Sequence, residues 1–592
     1  MGDIVMEVQQ QTHERSFVFC GRLIVGLAQG LALYLLYSAF EDKTWPATNG
    51  TLFAPLATVA LFVPLVFIQG LGTARLRTLV IWTLLAAAIV AFFAGYDIWH
   101  GWPETDTPRQ MAEGTTLFLT AVFLFIAHAL VIAGATDGKI VARYHTYFDV
   151  AWKQGLQLVL GGLFVGIFWL LLWLGAALFK LIDLDFLQVL IEHCWFAIPA
   201  TTLAVAAALH LSDVRASLVR GARSLLLVLF SWLLPLIAVI GGGFLLALVF
   251  TGVQPLWETR MATRLLLTAA IALIVLINAA YQDGDAERTP ARVLRWAANL
   301  GGVLLVPIVA LAGYAVHLRV AQYGWSGDRI AVTAAVAIAA AYALGYAIAA
   351  LWAKPWFKPL ERWNVAAAVI TLAVIAAFLS PLADPARISV ASQIARLESG
   401  QVAPSEFDFY YLHREGGRFG KAALEKLVRS SDPALGGPAK RALAQAYPDY
   451  TRAPQAPTPS DLARRFKVHP EGAKLPASFL TQQWPAGVNT CLDSFIGDYR
   501  CDAILKDING RPGIVVVFAN PNSADYHQID LLRFDGTGWH SVGRFSGNVC
   551  GAMAKSLREG RFDTVAPVQR DVVVGGHRFA LTPLGEGDLP CN

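Results

Sequence analysis

Residues 225–250 read LLLVLFSWLLPLIAVIGGGFLLALVF and include no charged side chain. A helix needs about 20 apolar residues to cross a bilayer core of about 30 Å, and it satisfies its backbone hydrogen bonds within its own segment. The stretch therefore predicts a membrane-spanning helix that is long enough to tilt in the bilayer.

Ten further apolar runs of span length lie on either side of this stretch. Repeated runs of this kind are typical of a polytopic membrane protein. The eleven predicted spans cover residues 23–40, 52–71, 79–99, 115–133, 155–178, 194–211, 225–250, 265–281, 298–320, 330–352 and 365–382.

Charged residues are distributed unevenly along the chain. They make up 15% of the 592 residues, against about 25% in soluble proteins. Residues 1–382 hold 44 of them, whereas the shorter segment 383–592 holds 46. We therefore predict a mostly α protein, with a transmembrane helix bundle of about eleven spans over residues 1–382 and a soluble part after it. The composition excludes a disordered chain, a collagen-like repeat and a purely cytosolic enzyme.

The positions of Lys and Arg predict which way the spans point. With the N-terminus inside, the inner segments of residues 1–382 hold sixteen Lys and Arg, and the outer segments hold seven. Cytoplasmic loops retain positive charge, so the N-terminus is predicted to be cytoplasmic. An odd number of spans then places the C-terminus outside. We expect no cleaved signal peptide, because the first apolar run has span length and is followed by Glu41-Asp42-Lys43.

The soluble part divides by its sequence pattern. Residues 383–452 have a helical pattern, in which 419–427 and 438–446 predict a helix pair, and residues 453–459 form a Pro-rich linker. Residues 460–592 are β-rich, so we predict an α+β domain with a small antiparallel sheet, an Asp535-Gly536 hairpin turn and a helix near residues 551–557. The predicted strands are 513–520, 527–534, 539–545 and 571–581.

Four of the six cysteines fall in the last hundred or so residues, and none of them forms a CxxC pair. An even number in a domain predicted to lie outside suggests disulfides formed in an oxidising compartment. The preferred pairings are Cys491 with Cys501 and Cys550 with Cys591, although four cysteines allow three connectivities. The alternative is four buried free thiols.

Polar residues within or near the spans are candidates for function, because burying them in a bilayer is costly. The end of the ninth span contains His317, Arg319, Gln322 and Tyr323. Arg319 can either reach the interface along its aliphatic stem or bind an anionic head group or substrate. The remaining candidates are Asn278, which can bond between helices, and His128, which can relay protons or bond to a neighbouring helix.

Two features near span ends have simpler interpretations. The spacings Gly26–Gly30 and Gly162–Gly166 predict close helix packing. Asp97 and His100 end the third span at a depth where solvated polar residues are normal. We predict no catalytic residue, metal ligand or cofactor.

Three stretches combine span-end polar residues with Gly, Pro and aromatic residues. These are Ile277, Asn278, Tyr281, Gln282, Asp283 and Gly284; then Pro307, Tyr314, Leu318, Arg319, Gln322, Tyr323, Gly324, Trp325, Ser326 and Arg329; and finally Pro381, Asp384, Pro385, Ile388, Ser389, Ser392, Gln393, Arg396, Leu397, Gly400, Phe407, Asp408, Tyr411 and Leu412. Over about residues 22–427 the chain resembles a bacterial membrane-protein family catalogued as domain of unknown function 4153. The resemblance implies a multi-span inner-membrane protein with no assigned reaction, substrate or catalytic residue.

Three functions remain open from the sequence. The first is a scaffold or sensor whose external C-terminal domain binds an envelope protein or ligand, with the lipid bilayer as its surroundings. The second is a transporter of a small or anionic substrate, and the third is a membrane-embedded enzyme acting on lipid-linked substrates. A net charge of +4 gives no reason to expect a nucleic-acid partner.

Overall fold

The computed structural model describes residues 2–101, 109–214, 216–254, 256, 261–284, 290–351, 356–444, 459–482, 484, 491–492, 501–508, 511–519, 526–545, 551–562, 572–574 and 577–579. The chain separates into two compact units, Met1–Gln445 and Ala446–Asn592.

The first unit consists of helices, and eleven helices in the described part of the chain are long and apolar enough to cross a membrane. The eleven predicted spans are thus confirmed. A short helix, α6, lies between the fifth and sixth of them. In chain order the helices are α1 (Gly2–Glu41), α2 (Gly50–Gly70), α3 (Leu76–His100), α4 (Gly114–Asp137), α5 (Tyr144–Lys180), α6 (Phe186–Glu192), α7 (Cys194–Val214), α8 (Ala216–Thr251), α9 (Ala262–Tyr281), α10 (Arg292–Tyr323), α11 (Gly327–Leu351) and α12 (Pro359–Phe378).

Helix α12 shows where hydropathy misplaces a boundary. The predicted span 365–382 begins too late and ends too late, since the helix runs from Pro359 to Phe378. Proline at the first helical position has the right φ and needs no N–H partner, so it starts a helix well. Pro381 restricts the residue before it to extended conformations, which ends the helix early.

Two groups of spans form two apolar cores, and α12 contributes to both, with Leu360 in the first and Ile375 in the second. Helices α8–α11 pack around side chains such as Leu305 and Tyr346. Helices α2, α3, α4 and α12 pack around Ala86 and Val90. We call the first the α8–α11 group and the second the α2–α4/α12 group.

The two glycine spacings behave differently. A Cβ on Gly30 would lie 2.5 Å from Pro199 Cα, and one on Gly26 would lie 2.7 Å from Ala206 Cβ, so α1 and α7 approach closely there. The close packing predicted for Gly26–Gly30 is confirmed. The prediction for Gly162–Gly166 is wrong, because nothing lies within 4 Å of a Cβ at either position. That face of α5 is open.

Four short helices follow the bundle and pack on their own apolar core, which includes Leu412 and Leu424. The predicted helix pair is present as α15 and α16. Helix α16 begins five residues earlier than predicted because Asp432 accepts a hydrogen bond from Ala434 N at 2.9 Å, which satisfies a free N–H of its first turn. We call these helices the cap: α13 (Pro385–Glu398), α14 (Phe409–Glu415), α15 (Gly417–Val428) and α16 (Pro433–Ala444).

The stability of the cap should depend on pH through His413. Burial lowers the pKa of this imidazole, because a charged ring is poorly solvated among its neighbours. The unfolded segment therefore binds protons that the folded cap does not, and cap stability should fall as the pH drops below about 6.5. Hydrogen exchange of residues 409–428 at pH 7.5 and 5.5 measures this loss. The variant His413→Leu should remove most of the difference, and an unchanged difference would contradict the assignment.

The second unit contains a five-stranded sheet in the order β1-β2-β3-β4-β5 and a two-stranded sheet. Helices α17 (Pro459–Arg465), α18 (Ala477–Thr481) and α19 (Gly551–Arg558) accompany the sheets, and the helix predicted near 551–557 is confirmed. The strands are β1 (Phe466–His469), β2 (Cys501–Ile508), β3 (Arg511–Ala519), β4 (Tyr526–Phe534), β5 (Trp539–Phe545), β6 (Val572–Val574) and β7 (His577–Phe579).

The larger sheet is not purely antiparallel. Strands β2 to β5 pair antiparallel, but β1, which the sequence pattern missed together with β2, pairs parallel with β2. The predicted hairpin between β4 and β5 is confirmed. Its Asp535 carboxylate accepts hydrogen bonds from the Thr537 hydroxyl and from the N–H groups of Thr537 and Gly538. These bonds hold the pKa of the Asp535 carboxyl well below its usual range.

The single strand predicted over 571–581 is instead two short strands. Strands β6 and β7 pair antiparallel, with Val574 opposite His577. The sequence has Gly575-Gly576 between them, and such a pair favours a two-residue hairpin connection.

One disulfide is present in the described residues, between Cys491 and Cys501, with an Sγ–Sγ distance of 2.00 Å. It is the first of the two preferred pairings and lies in the core of the unit with Phe479 and Leu532. Cys550 and Cys591 lie outside the described residues, as does nearly all of the predicted linker 453–459.

Candidate functional site

The structure distributes the six candidate polar residues over three places. His128 lies within the α2–α4/α12 group, and Asn278 lies near the end of α9. The other four, His317, Arg319, Gln322 and Tyr323, lie at the end of α10 next to the cap. The six residues therefore do not form one polar route through the bundle.

At the end of α10, two arginines flank one aromatic ring. The guanidinium carbons of Arg319 and Arg329 lie 6.0 Å and 5.4 Å from the centre of the Tyr323 ring, which is within cation–π range. Tyr323 is exposed, as are His317 and Gln322. The side chains thus form a basic, aromatic surface around the helix end.

The backbone of the same helix end is held by the cap. The last carbonyls of a helix lack partners within the helix. Here Arg396 Nη2 donates to Gln322 O at 2.9 Å, and Gln393 Nε2 donates to Tyr323 O at 3.1 Å and to Trp325 O at 2.8 Å. We call this contact the α10 clamp. This contact could not be predicted from the side chains of α10, because it uses the backbone of that helix.

Gly324 makes the clamp possible. Its φ is +73°, in the left-handed region that favours glycine. A Cβ at this position would lie 2.6 Å from Arg396 Cδ and 3.0 Å from Gln393 Nε2. Both the turn and the close approach of α13 therefore require glycine here.

A second set of polar contacts joins the cap to the end of α3. Asp97 and Asp384 are 4% and 1% exposed, so the expectation that Asp97 is solvated is wrong. His100 lies between them, with Nε2 3.5 Å from Asp97 Oδ1 and Nδ1 3.7 Å from Asp384 Oδ2. Tyr96 donates its hydroxyl to Asp384 at 2.5 Å. Tyr96 and Asp384 are 288 positions apart in sequence, so local pattern could not pair them.

Structural partners occupy the oxygens of both carboxylates. Asp97 accepts from Thr116 Oγ1 at 2.8 Å and from Glu113 N at 3.0 Å, and it forms an ion pair with Arg109. Asp384 also accepts from Arg387 N at 3.0 Å, which caps α13. A general base needs a lone pair directed at substrate, so this arrangement favours attachment of the cap over catalysis.

Asn278 takes part in a polar network at the end of the bundle opposite the cap. Its Oδ1 accepts from Asn364 Nδ2 at 2.6 Å, and its Nδ2 donates to Tyr346 Oη at 2.5 Å. Tyr346 donates in turn to Asn364 Oδ1 at 2.7 Å, and Asn364 Nδ2 donates to Tyr144 Oη at 3.0 Å. The two amides and two hydroxyls thus connect α5, α9, α11 and α12.

His128 is buried, and its Nδ1 accepts a hydrogen bond from Trp82 Nε1 at 2.9 Å. This bond joins α3 to α4 within an apolar core. The sequence left two roles open for His128, a proton relay and a bond to a neighbouring helix, and the structure shows a bond of the second kind.

An ion pair that the sequence analysis did not find lies at the same end as Asn278. Arg22 is 2% exposed and donates to Leu71 O at 2.7 Å and to the Asp213 carboxylate. Lys153 Nζ lies 2.7 Å from Asp213 Oδ1, and Gln157 Nε2 donates to the same oxygen at 2.8 Å. We call these groups the Arg22–Asp213 cluster. It joins α1, α5 and α7 and carries one more positive than negative charge.

Among the described residues, no group of three or more His, Cys, Asp or Glu is arranged to hold a metal ion.

A family model described as domain of unknown function (DUF4153) matches residues 30–429, more than half of the chain. The chain belongs to this family. No curated protein and no solved structure matches the chain.

The DUF4153 region begins within α1 and ends one residue after α15. It includes both contacts between cap and bundle, the α10 clamp and the contacts at the end of α3. The five-stranded sheet and its disulfide lie outside the match. The family assignment therefore covers the bundle with most of the cap and leaves the C-terminal unit unassigned.

Proposed function

We propose that this protein is a scaffold or sensor of the bacterial inner membrane. In this proposal the bundle and the cap form a fixed platform, and the C-terminal unit binds an envelope component on the extracytoplasmic side. The observation that carries the proposal is the attachment of the cap at two separate places. Asp384, at the start of α13, bonds to Tyr96 of α3, and Arg396, at the other end of α13, bonds to the backbone of α10.

The two attachments involve spans from different apolar cores. Helix α3 belongs to the α2–α4/α12 group and α10 to the α8–α11 group. A transporter that works by rocking the α2–α4/α12 group against the α8–α11 group would have to break one of these attachments in each cycle. A cap that joins both groups favours a rigid support over a carrier.

The predicted orientation supports an external C-terminal unit. The charge asymmetry of sixteen to seven favours a cytoplasmic N-terminus, and the disulfide between Cys491 and Cys501 favours an oxidising compartment. The two arguments use different residues. Their agreement is the basis for assigning the cap and the C-terminal unit to the outer side.

Cysteine labelling tests the orientation. In a Cys20→Ala, Cys194→Ala background, the full chain is treated with a membrane-impermeant maleimide in cells whose outer membrane has been permeabilised. We expect a gel shift only after reductant, because the external cysteines are oxidised. A shift without reductant that requires a breached inner membrane would place the C-terminal unit in the cytoplasm and overturn the proposal.

Site-specific cross-linking tests the binding role. Among the described strands, β5 lies at an edge of the sheet, and its Val542 side chain is 47% exposed. Exposed edge strands are common sites of strand addition by a partner. A photoreactive residue at position 542 should give a discrete adduct in intact cells, whereas one at the exposed position Leu178, within α5, should cross-link lipid only. The absence of any protein adduct at 542 and at other exposed positions of the unit would argue against a scaffold.

Substitution of Gly324 tests whether the cap is fixed. Gly324→Ala should strain the left-handed turn and displace Arg396, so that the cap opens more often. If the free energy needed to open the cap falls by about 1.5 kcal/mol, hydrogen exchange in α13 should be roughly tenfold faster. Gly327→Ala is the matched control, because nothing lies within 4 Å of a Cβ there. Equal exchange in the two variants would show that the clamp does not hold the cap.

A further inference from the structure

A cavity of about 220 Å³ lies between α4, α5, α9 and α12. Its surface is almost entirely apolar and includes Phe125, Leu130, Phe148 and Trp152. The amides of Asn278 and Asn364 lie on its wall, but they bond to each other and to Tyr144 and Tyr346. The cavity therefore offers an apolar ligand a large contact surface and a polar wall that is already hydrogen-bonded.

The position of the cavity decides what fills it. Helix α5, which forms one wall, exposes Leu158 and Val159 (41% and 67%) less than two turns beyond Trp152, so this side of the bundle faces lipid there. Apolar cavities of this size stay dry and accept hydrocarbon. In a bilayer, the hydrocarbon available at this depth is a lipid acyl chain.

The nearest helix ends carry positive charge. Lys139 and Arg143 lie in the connection between α4 and α5, and Arg362 lies in the first turn of α12, just before Asn364. All three are exposed, and among the described residues only Arg143 is paired, with Asp137 at 3.2 Å. Basic groups at the end of an intramembrane groove favour an anionic head group.

The connection between α4 and α5 is itself suited to the membrane interface. Ile140 and Val141 are 98% and 68% exposed, next to Lys139. Exposed apolar side chains beside a cation are typical of a segment that sits in the head-group layer.

Leu130, the last residue of α4 on the cavity wall, lies seven residues before Asp137. At 1.5 Å per residue, the cavity is about 10 Å below the helix ends that carry Lys139, Arg143 and Arg362, which we call the charged rim. An acyl chain can reach that far.

We propose that this cavity binds one acyl chain of an anionic phospholipid whose phosphate lies against Lys139 and Arg362. The lipid then bridges α4, α5 and α12 at the end of the bundle opposite the cap. The site is independent of the proposed scaffold role, since it requires only that the chain spans a bilayer.

Photolabelling of the full chain in nanodiscs tests this site. The probes are phosphatidylglycerol and phosphatidylcholine that carry a diazirine in mid-chain, each at low mole fraction in a phosphatidylcholine bilayer. We expect the phosphatidylglycerol probe to label peptides within residues 122–152 and 364–372 and the phosphatidylcholine probe to label them much less. Equal labelling by the two probes would overturn the assignment of an anionic lipid, and labelling spread evenly over all spans would overturn the site.

Filling the cavity separates binding from general lipid contact. Ala368 lines the cavity, whereas Ala366 of the same helix is exposed and does not. Ala368→Phe should lower labelling by phosphatidylglycerol about tenfold, equivalent to about 1.4 kcal/mol, and Ala366→Phe should leave it unchanged. Ala151→Phe, on the α5 wall of the cavity, is the second filling variant in case Ala368→Phe does not fold. A folded filling variant with full labelling would refute the proposal.

The charged rim has its own test. Lys139→Ala with Arg362→Ala should remove the preference for phosphatidylglycerol and leave labelling by phosphatidylcholine unaltered. Lys43→Ala, at the opposite end of the bundle, is the control. A preference that persists in the double variant would show that the phosphate lies elsewhere and would overturn the placement of the head group.

Discussion

Asp213→Ala is expected to destabilise the membrane unit by about 3 kcal/mol, the lower end of the range for breaking a buried ion pair. Arg22 is 2% exposed and Asp213 is 20% exposed, so removing the carboxylate leaves a buried guanidinium beside Lys153 with no counter-charge. Water reaches Asp213 more readily than Arg22, which is why the lower end of the range applies. Unfolding of the purified chain in mixed micelles measures the loss.

A surface ion pair in the same chain provides the control. Arg223 and Asp149 form a pair at 2.5 Å in which Asp149 is 53% exposed, and pairs of this kind contribute about 0–1 kcal/mol. Asp149→Ala should therefore change stability little. A loss for Asp213→Ala as small as that for Asp149→Ala would show that the Arg22–Asp213 cluster is solvated and not a structural tie.

The double variant Arg22→Leu, Asp213→Leu tests the coupling. Removing both charges avoids the cost of an unpaired buried ion, so the double variant should be more stable than Asp213→Ala. Lys153 remains free to turn toward water, since it is 38% exposed. Additive losses in the single and double variants would mean that the two residues act independently.

The fold of the bundle was predictable because each span is a local property of the chain. About twenty apolar residues are sufficient to indicate a membrane helix, whatever the rest of the chain does. The cap helices α15 and α16 were likewise predictable from their periodicity. Strand β1 was not, because Phe466 pairs with Cys501, thirty-five residues away, and a four-residue strand has no clear period.

The polar clusters were also harder to predict, because their partners lie far apart in the sequence. The structural role of Arg22 could not be predicted, because its partner Asp213 lies 191 residues away. Asp97 looked solvated, because Thr116, Glu113 and Arg109 surround it only in the folded chain. The span-end residues Arg319 and Tyr323, which the sequence pattern singled out, lie at the end of α10. Gln393 and Arg396 hold this end by bonding to its backbone. Every residue has a backbone carbonyl, so the sequence does not show which ones accept these bonds.

Gly30→Ala is expected to destabilise the bundle by about 3 kcal/mol, although alanine is the better helix former. The added Cβ would lie 2.5 Å from Pro199 Cα and 2.3 Å from Thr202 Oγ1. A hydroxyl can rotate away, but a backbone carbon cannot, so α1 and α7 must separate and lose contact along their length. Overpacking of a tight core typically costs 1–3 kcal/mol, and contact with rigid backbone puts this site at the upper end.

The second glycine spacing of the chain makes the comparison decisive. Gly166→Ala introduces the same methyl group into the same spacing in a membrane helix, but nothing lies within 4 Å of its Cβ. Since alanine in a helix interior is favoured over glycine by about 1 kcal/mol, this variant should be neutral or slightly more stable. The two substitutions should therefore have effects of opposite sign in one unfolding assay. Equal effects would mean that the spacing itself, and not the approach of Pro199, determines the cost.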